Sequence, residues 1–428
     1  MVTSTLRSRH GVFNTRHSAC GIRHWRTSVA IFCLFLARPY CETMYSTPRT
    51  MSRLVRGCRL LKLCPATSLV SSRVVTATAR PYSSSSKSKS KPQSRTRPSA
   101  PPPPFELVPT CPSPTCECSA TPAMPDGLEI DHKAPLNGVV WAYAEQVLVC
   151  TNKDDWASRI EEENSGDNLA ADLKELFGRG GTYSDPWHNI SVLNASFPSS
   201  TPKRSELQTT SAYLLPSFKY VPFLPRVSFD SVQALAKGYL LPEKLHPMHD
   251  GLSPIHRDRL TRKEAYRSLL YGVQDVTDVL VLICGHGGRD MRCGVMGPVL
   301  REEFERRFEG VGVDVARGPV EVDESGEKKH RIAAPEDEKG EGGKMAARVG
   351  LISHIGGHKF AGNVIVYIPP GLRMKGGEKH PLAGKGIWYG RVEPKHVEGI
   401  IKETVLEGRV IADMFRGGID ENRKILRL

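Results

Sequence analysis

Two short segments of this chain hold residue types that could carry metal or redox chemistry. In the first, Cys284-Gly-His-Gly-Gly-Arg-Asp-Met-Arg-Cys293, two thiols stand at the ends of a Gly-rich stretch. In the second, His354-Ile-Gly-Gly-His358, two imidazoles stand four residues apart, beginning 61 residues after Cys293. Gly356 and Gly357 disfavour a helix there and favour a turn that can aim both rings at one point. Two thiolates and two imidazoles make a full donor set for zinc or for the two irons of a [2Fe–2S] cluster. Read singly, Cys284 would be a small buried hydrophobe and each histidine a surface or hydrogen-bonding residue. Four such residues at strand ends, flanked by Gly-Gly pairs, point instead to a shared site. Donor types alone lean towards zinc, for which His-x3-His is ordinary, although the eight-residue gap between the cysteines exceeds the usual two to four. A redox thiol pair, Cys284 with Cys293, is the competing chemistry.

Other reaction classes lack their residues. The chain has no Gly-x-x-x-x-Gly-Lys-Ser/Thr phosphate loop. Gly285-x-Gly287 is followed by Asp290 where a dinucleotide fingerprint needs its third glycine. His286-Gly287-Gly288 has the look of an esterase oxyanion loop, but no Gly-x-Ser-x-Gly supplies a nucleophile. His-Glu-x-x-His and Cys-x-x-Cys are both missing.

The elements that must position the two segments are legible in the second half. Val279–Cys284 is an apolar run of the kind a buried strand makes, and Pro298–Phe308 follows as a helix with Pro at its start. Gly312–Ala316, Arg348–Ser353, Val364–Ile368 and Ile387–Val392 read as strands, and Pro394–Leu406 as a helix. The order β-α-β then β-β-α predicts a thioredoxin-like C-terminal domain in an α/β protein. Upstream, Gln146–Cys150, Ile190–Leu193 and Tyr213–Tyr220 read as strands. Asp154–Glu163, Asn168–Phe177, Ser231–Leu240 with Ser231 as N-cap, and Arg257–Leu270 read as helices. Val147–Cys150, ahead of a loop and helix, loosely echoes Val279–Cys284. A degenerate duplication would explain the echo.

The segments ICGHGGRDMRCGVMGP and SHIGGHKFAGNVIVY resemble the paired motifs of the sucrase/ferredoxin-like family, a likeness covering about residues 106–428. The resemblance implies a thioredoxin-like ferredoxin with a [2Fe–2S] cluster, and hence electron transfer with redox partner proteins. Carried over by motif position, the ligands would be Cys284, Cys293, His354 and His358. Arg289 and Arg292 would offset an anionic cluster, and His286, Lys359 and Asn363 would donate to its ligands. The rival readings are a thiol-disulfide oxidoreductase using Cys284 and Cys293, and a zinc-stabilised interaction module. Glycosidase chemistry is not expected, because no carboxylate pair supports it.

Charge divides the chain of 428 residues. Residues 1–100 carry 18 Lys and Arg against one acid, Glu42, whereas the remainder carries 41 bases and 45 acids. The net +13 therefore gives no basic surface for nucleic acid on the body. The longest apolar run, Val29–Ala37, is nine residues, too short to span a bilayer. Of 11 cysteines only Cys150, Cys284 and Cys293 fall in foldable sequence, as a reducing compartment allows. The Arg- and Ser-rich, acid-poor start is that of an organelle transit peptide, and Arg80-Pro81-Tyr82-Ser83 resembles a mitochondrial processing site. The expected organisation is a transit region at 1–82, a Ser/Pro-rich linker at 83–125, an N-terminal α/β domain at 126–270 and the ferredoxin domain at 271–428. A charged surface insertion at 321–344 would interrupt the last. Met1, Met44 or Met51 could start the chain. The address is the mitochondrial matrix, with import and iron–sulfur assembly machinery as implied partners. Cys111, Cys116 and Cys118 take no role in this reading, and a disordered linker is their simplest setting.

Overall fold

The alternating apolar runs become strands of one mixed sheet. In a computed structural model the described residues are 102–201, 209–225, 229–322 and 345–428, all within one unit of the chain. The transit region 1–82, residues 83–101 of the linker and residues 323–344 of the insertion lie outside the described residues. In chain order the first elements are β1 (Leu107–Val108), β2 (Glu145–Cys150), α1 (Leu169–Phe177), β3 (Ile190–Ala195), β4 (Thr209–Leu215), β5 (Lys219–Pro225), α2 (Phe229–Leu235), α3 (Pro254–Leu260) and β6 (Gln274–Asp275). The second half continues with β7 (Val279–Cys284), α4 (Met291–Gly310), β8 (Asp314–Val315), β9 (Ala346–Ile352), β10 (Val364–Ile368), β11 (Lys385–Tyr389) and α5 (Pro394–Ile400). It ends with β12 (Val410–Ile411), β13 (Phe415–Ile419) and β14 (Ile425–Leu426).

In the second half β7 lies parallel to β9 and antiparallel to β10, and β10 pairs antiparallel with β11. The spatial order β11-β10-β7-β9, with α4 between β7 and β9 and α5 after β11, is the expected thioredoxin-like arrangement. The first half repeats it. There β2 lies parallel to β3 and antiparallel to β4, and β4 antiparallel to β5, giving β3-β2-β4-β5 with α1 and α2 in matching places. The echo between Val147–Cys150 and Val279–Cys284 thus extends to a whole unit. The two units meet where Ala195 of β3 registers with Ile352 of β9. Hydrogen bonds Ser353 N–Asn194 O (2.9 Å), Ser196 N–Leu351 O (2.9 Å) and Asn194 N–Ser353 Oγ (3.0 Å) close this seam.

Each strand divides its side chains between two faces, as a period of two requires. Val279, Val281 and Ile283 join Leu300, Phe304, Phe308, Val397 and Ile400 in the core beneath α4 and α5. Leu280, Leu282 and Cys284 point the other way, into a core shared with Leu148 and Cys150 of the first unit. The stripe Cys293, Met296, Leu300, Phe304 and Phe308 recurs at near-fourfold spacing and is wholly buried, which fixes the rotation of α4 on the sheet.

Several expectations shift. The helix expected at Pro298 begins seven residues earlier, because Asp290 caps it by accepting from Arg292 N (3.1 Å), and Pro298 lies inside it. Asp154–Glu163 is not a helix: residues 154–159 form a loop whose carboxylate and carbonyls bind the Gly-rich segment, and a 3-10 turn covers Ile160–Gly166. Tyr213–Tyr220 is the centre of a β4–β5 hairpin. Ser231 lies within α2 and is not its cap, and the turn after α2 widens to a π-helix over Ala236–Leu240. Arg257–Leu270 breaks at Thr261 into α3, capped by Ser253, and a 3-10 turn over Glu264–Leu269. Pro394–Leu406 is α5 followed by a π-helical turn from Ile401. Strands β12, β13 and β14 are additions to the expected set.

Residues 102–125 are packed despite their linker composition. Here β1 pairs in parallel with β12 through Leu107–Val410 and Val108–Ile411, and Phe105, Cys111 and Met124 cover the α4–α5 core. The seam between the units gives a test. A Cβ on Gly350 would stand 2.6 Å from the Phe197 ring. Gly350→Val should cost ~1–3 kcal/mol, the usual range for overpacking, as a lower urea midpoint at unchanged slope.

Candidate metal centre

The first thiol is set by the sheet. Cys284 ends β7, is 1% exposed, and its N–H donates to Asn363 O (2.9 Å). The second is set by a helix: Cys293 is the third residue of α4 and fully buried. It is therefore a helix-terminus residue, not the end of a loop, and the positive end of a 20-residue helix stands at the pair. Glycines allow this approach. Gly287 and Gly294 touch so closely that a Cβ on Gly294 would lie 2.6 Å from Gly287 Cα, and one on Gly297 2.6 Å from Gly285 Cα. Cys293 hydrogen-bonds to Cys284, which with the nearby His354 holds Cys284 well below the usual thiol range, while the same bond and burial raise Cys293.

The imidazoles follow the seam. His354 stands two residues past β9, and His358 opens a 3-10 turn after Gly356 and Gly357, both at positive φ (+80° and +71°). The turn expected from Gly-Gly is present, and it brings the ring centroids to 5.2 Å. Burial depresses the pKa of His358, which favours the neutral form that ligates metal. Nδ1 of His354 and Nδ1 of His358 are buried and lack any hydrogen-bond partner. Among the described residues no three His, Cys, Asp or Glu side chains are gathered closely enough to hold a single metal ion. The two thiols adjoin, the two rings adjoin, and His354 also reaches Cys284.

The surrounding residues divide by what they touch. His286 is buried and bridges the units: Nε2 donates to Ala157 O (2.9 Å) and Trp156 O (3.1 Å), and Nδ1 accepts from His354 N (3.0 Å). Asp155 accepts from Gly288 N (3.0 Å). Asn363 donates to Gly357 O (3.0 Å) and so holds the turn between the histidines. Arg292 is bound to Asp290 (2.9 Å), which keeps that carboxylate ionised, and Arg289 donates to Ser158 Oγ (3.3 Å). Lys359 pairs through its ammonium with Asp131 (2.8 Å).

The charge facing the thiols comes from a residue that motif reading passed over. Arg416, in β13, is 1% exposed. Its terminal nitrogens donate to Asn363 Oδ1 (2.7 Å), Val139 O (2.8 Å) and Gly356 O (3.3 Å), and Nε has no partner. Among the described residues no carboxylate pairs with it. Burial pushes its pKa down to about 10, opposed by the charges of Cys284 and Cys293, so it stays a cation at neutral pH. The rings of Phe360 and Trp388 face the guanidinium at 5.7 Å each, and the thiol pair is the group whose negative charge favours its cationic form. The signal in the sequence was a lone arginine inside the apolar run Met414–Ile419. The donor set therefore fits a metal group: two orphaned imidazole nitrogens, a thiolate, and a buried cation to balance it.

The fold defines a thioredoxin-like protein in which two buried thiols stand near two partly exposed imidazoles. The chain belongs to the sucrase/ferredoxin-like family, whose profile matches residues 136–417. It is 28% identical over 310 residues to Altered inheritance of mitochondria protein 32 of Debaryomyces hansenii, covering 71% of this chain and 93% of that one. The like-named protein of Meyerozyma guilliermondii is 28% identical over 326 residues, 73% and 95% of the two chains. That of Clavispora lusitaniae is 39% identical over 138 residues, 32% and 34%. No solved structure matches.

The two glycines of the histidine turn should differ in what they tolerate. A Cβ on Gly357 would lie 2.7 Å from an Arg416 nitrogen, whereas one on Gly356 meets only Trp141 at 3.6 Å. Both pay the left-handed strain of ~1–2 kcal/mol. Gly357→Ala should therefore lower the thermal midpoint clearly more than Gly356→Ala, and equal losses would refute the packing of Arg416 against this turn.

Proposed function

We propose that this protein is a [2Fe–2S] electron carrier whose cluster is held by Cys284, Cys293, His354 and His358. The observation that carries the reading is the pair of buried, partnerless Nδ1 atoms beside two buried thiols. An unmet buried polar atom costs ~1–3 kcal/mol, and a metal bond removes that cost at both rings. Membership of the sucrase/ferredoxin-like family favours a two-iron group over a single zinc ion. When bound, the cluster supplies one-electron transfer. The chain sets its potential and access. Two neutral imidazoles in place of two thiolates leave the centre about two charges less negative than four cysteines would, which favours the added electron. Arg416 acts in the same direction. The half-exposed His358 and an open cleft of about 300 Å³ beside His354, lined by Arg159, Lys174 and Arg289, give a partner short paths to the site.

The compartment is part of the proposal. Residues 1–82 have transit-peptide composition, and the relatives above carry mitochondria in their names. We place the protein in the matrix, imported and then loaded by iron–sulfur assembly machinery. No helix among the described residues is long and apolar enough to cross a membrane.

Protein purified without oxygen should be brown, with visible absorption bands and equal amounts of iron and acid-labile sulfide. Cys284→Ser and His354→Ala should lose both. Colourless protein holding zinc, or no metal, would overturn the reading. In the loaded protein Arg416→Gln should lower the reduction potential by ~60 mV for each ~1.4 kcal/mol of lost stabilisation of the reduced state, with Arg416→Lys closer to wild type. A chain lacking residues 1–82 should fold yet fail to enter isolated mitochondria.

A further inference from the structure

The strap over α4 and α5 carries three cysteines that the metal centre does not use. Cys111 is turned into the core, where its thiol donates to His396 O (3.6 Å) and burial pushes its pKa up to about 12. Cys116 and Cys118 are different. Cys116 is exposed, Cys118 is half-buried, and both sulfurs contact the same guanidinium: Cys116 Sγ the NH1 group of Arg307, and Cys118 Sγ its NH2 group at 3.2 Å. The chain is fixed on either side of the pair. Thr115 donates through N (3.1 Å) and Oγ1 to Glu398, and Ser119 through N (3.3 Å) and Oγ (2.8 Å) to Glu303. Arg307 is itself 7% exposed and locked to the fully buried Glu303 at 2.6 Å.

We infer that Cys116 and Cys118 form a reversible dithiol–disulfide site that reacts with accessible disulfides. It does not depend on the cluster reading. Two residues with one residue between them project to the same side of an extended chain. Here a bend at Thr115–Cys116 turns both sulfurs to one cation. Cys116, the more open, attacks a disulfide RSSR as its thiolate, forming a Cys116–SR bond while one RS⁻ leaves and takes up a proton. Cys118 then attacks the Cys116 sulfur, the second RS⁻ leaves and is protonated, and the Cys116–Cys118 bond closes. The net change is two protein thiols and RSSR to one protein disulfide and two RSH, so two electrons pass from the protein to RSSR. The guanidinium in contact with both sulfurs steadies the negative charge as it moves between them. So small a ring strains its disulfide, which keeps it easily reduced and the site reversible.

The test uses the full-length protein and oxidised glutathione. Wild type should yield a peptide holding an internal Cys116–Cys118 disulfide by mass spectrometry, with the visible spectrum and iron content unchanged. Cys118→Ser should stop at a glutathione adduct on Cys116, and Cys116→Ser should form no disulfide in this peptide. Arg307→Lys, which keeps the charge against Glu303, should fold as judged by circular dichroism and close its disulfide several-fold more slowly. A wild-type chain that retains glutathione on Cys116 without closing, or leaves both thiols free, would overturn the inference. An unchanged rate in Arg307→Lys would overturn the role given to the guanidinium. Loss of iron in Cys116→Ser or Cys118→Ser would instead show that these thiols belong to the cluster.

Discussion

A buried cation governs the site. Arg416 sits in β13, beside the edge strand β14, yet is 1% exposed, and an isolated charge is costly there. What the guanidinium meets is the faces of Phe360 and Trp388, each at 5.7 Å, and the charge of the thiol pair. Its demands reach outward. Gly357 must be glycine to leave it room, Asn363 must offer it an oxygen while holding the histidine turn, and Val139 must present a carbonyl from the segment before β2. The same contacts that satisfy the guanidinium therefore fix the position of both histidines relative to both cysteines. Without the anion, these contacts would surround an uncompensated charge.

The doubled architecture explains how the half without candidate ligands still shapes the site. Cys150 ends β2 as Cys284 ends β7, and both point into the same core, yet Cys150 is surrounded by aromatic side chains and burial raises its thiol pKa. No Gly-rich segment follows it. The loop that does follow, residues 151–158, supplies Asp155 to Gly288 and two carbonyls to His286. His286 in turn accepts from the backbone of His354. The first unit thus serves as a wall for the site of the second, and the seam at Ala195–Ile352 ends where the ligand turn begins.

The long helix connects the two groups of cysteines. Its N-terminal turn places Cys293 against Cys284, while two turns of its far half, through Glu303 and Arg307, hold the strap that bears Cys116 and Cys118. One rigid element therefore supports chemistry at both ends. The buried stripe from Met296 to Phe308 keeps its rotation, and hence both sets of thiols, in register with the sheet.

The sequence by itself determined strands β7, β9, β10 and β11, the thioredoxin-like order, and the four candidate ligands. Apolar runs such as Val279–Cys284 and Val364–Ile368 admit no other burial, and Gly-Gly between histidines admits little but a turn. It also carried the echo between the two units, though only through the four residues Val147–Cys150. Tertiary structure decided the rest. Composition marked residues 102–125 as a linker because Pro, Ser and Cys build no core alone, but the groove between α4 and α5 supplies the missing apolar surface. Asp154–Glu163 had helical spacing, yet its carbonyls at Trp156 and Ala157 are taken by His286 and its Asp155 carboxylate by Gly288, partners some 130 residues away. Arg416 was unreadable as a site residue because its meaning is a distance: it lies more than 120 residues from either cysteine in the chain and beside both in the fold.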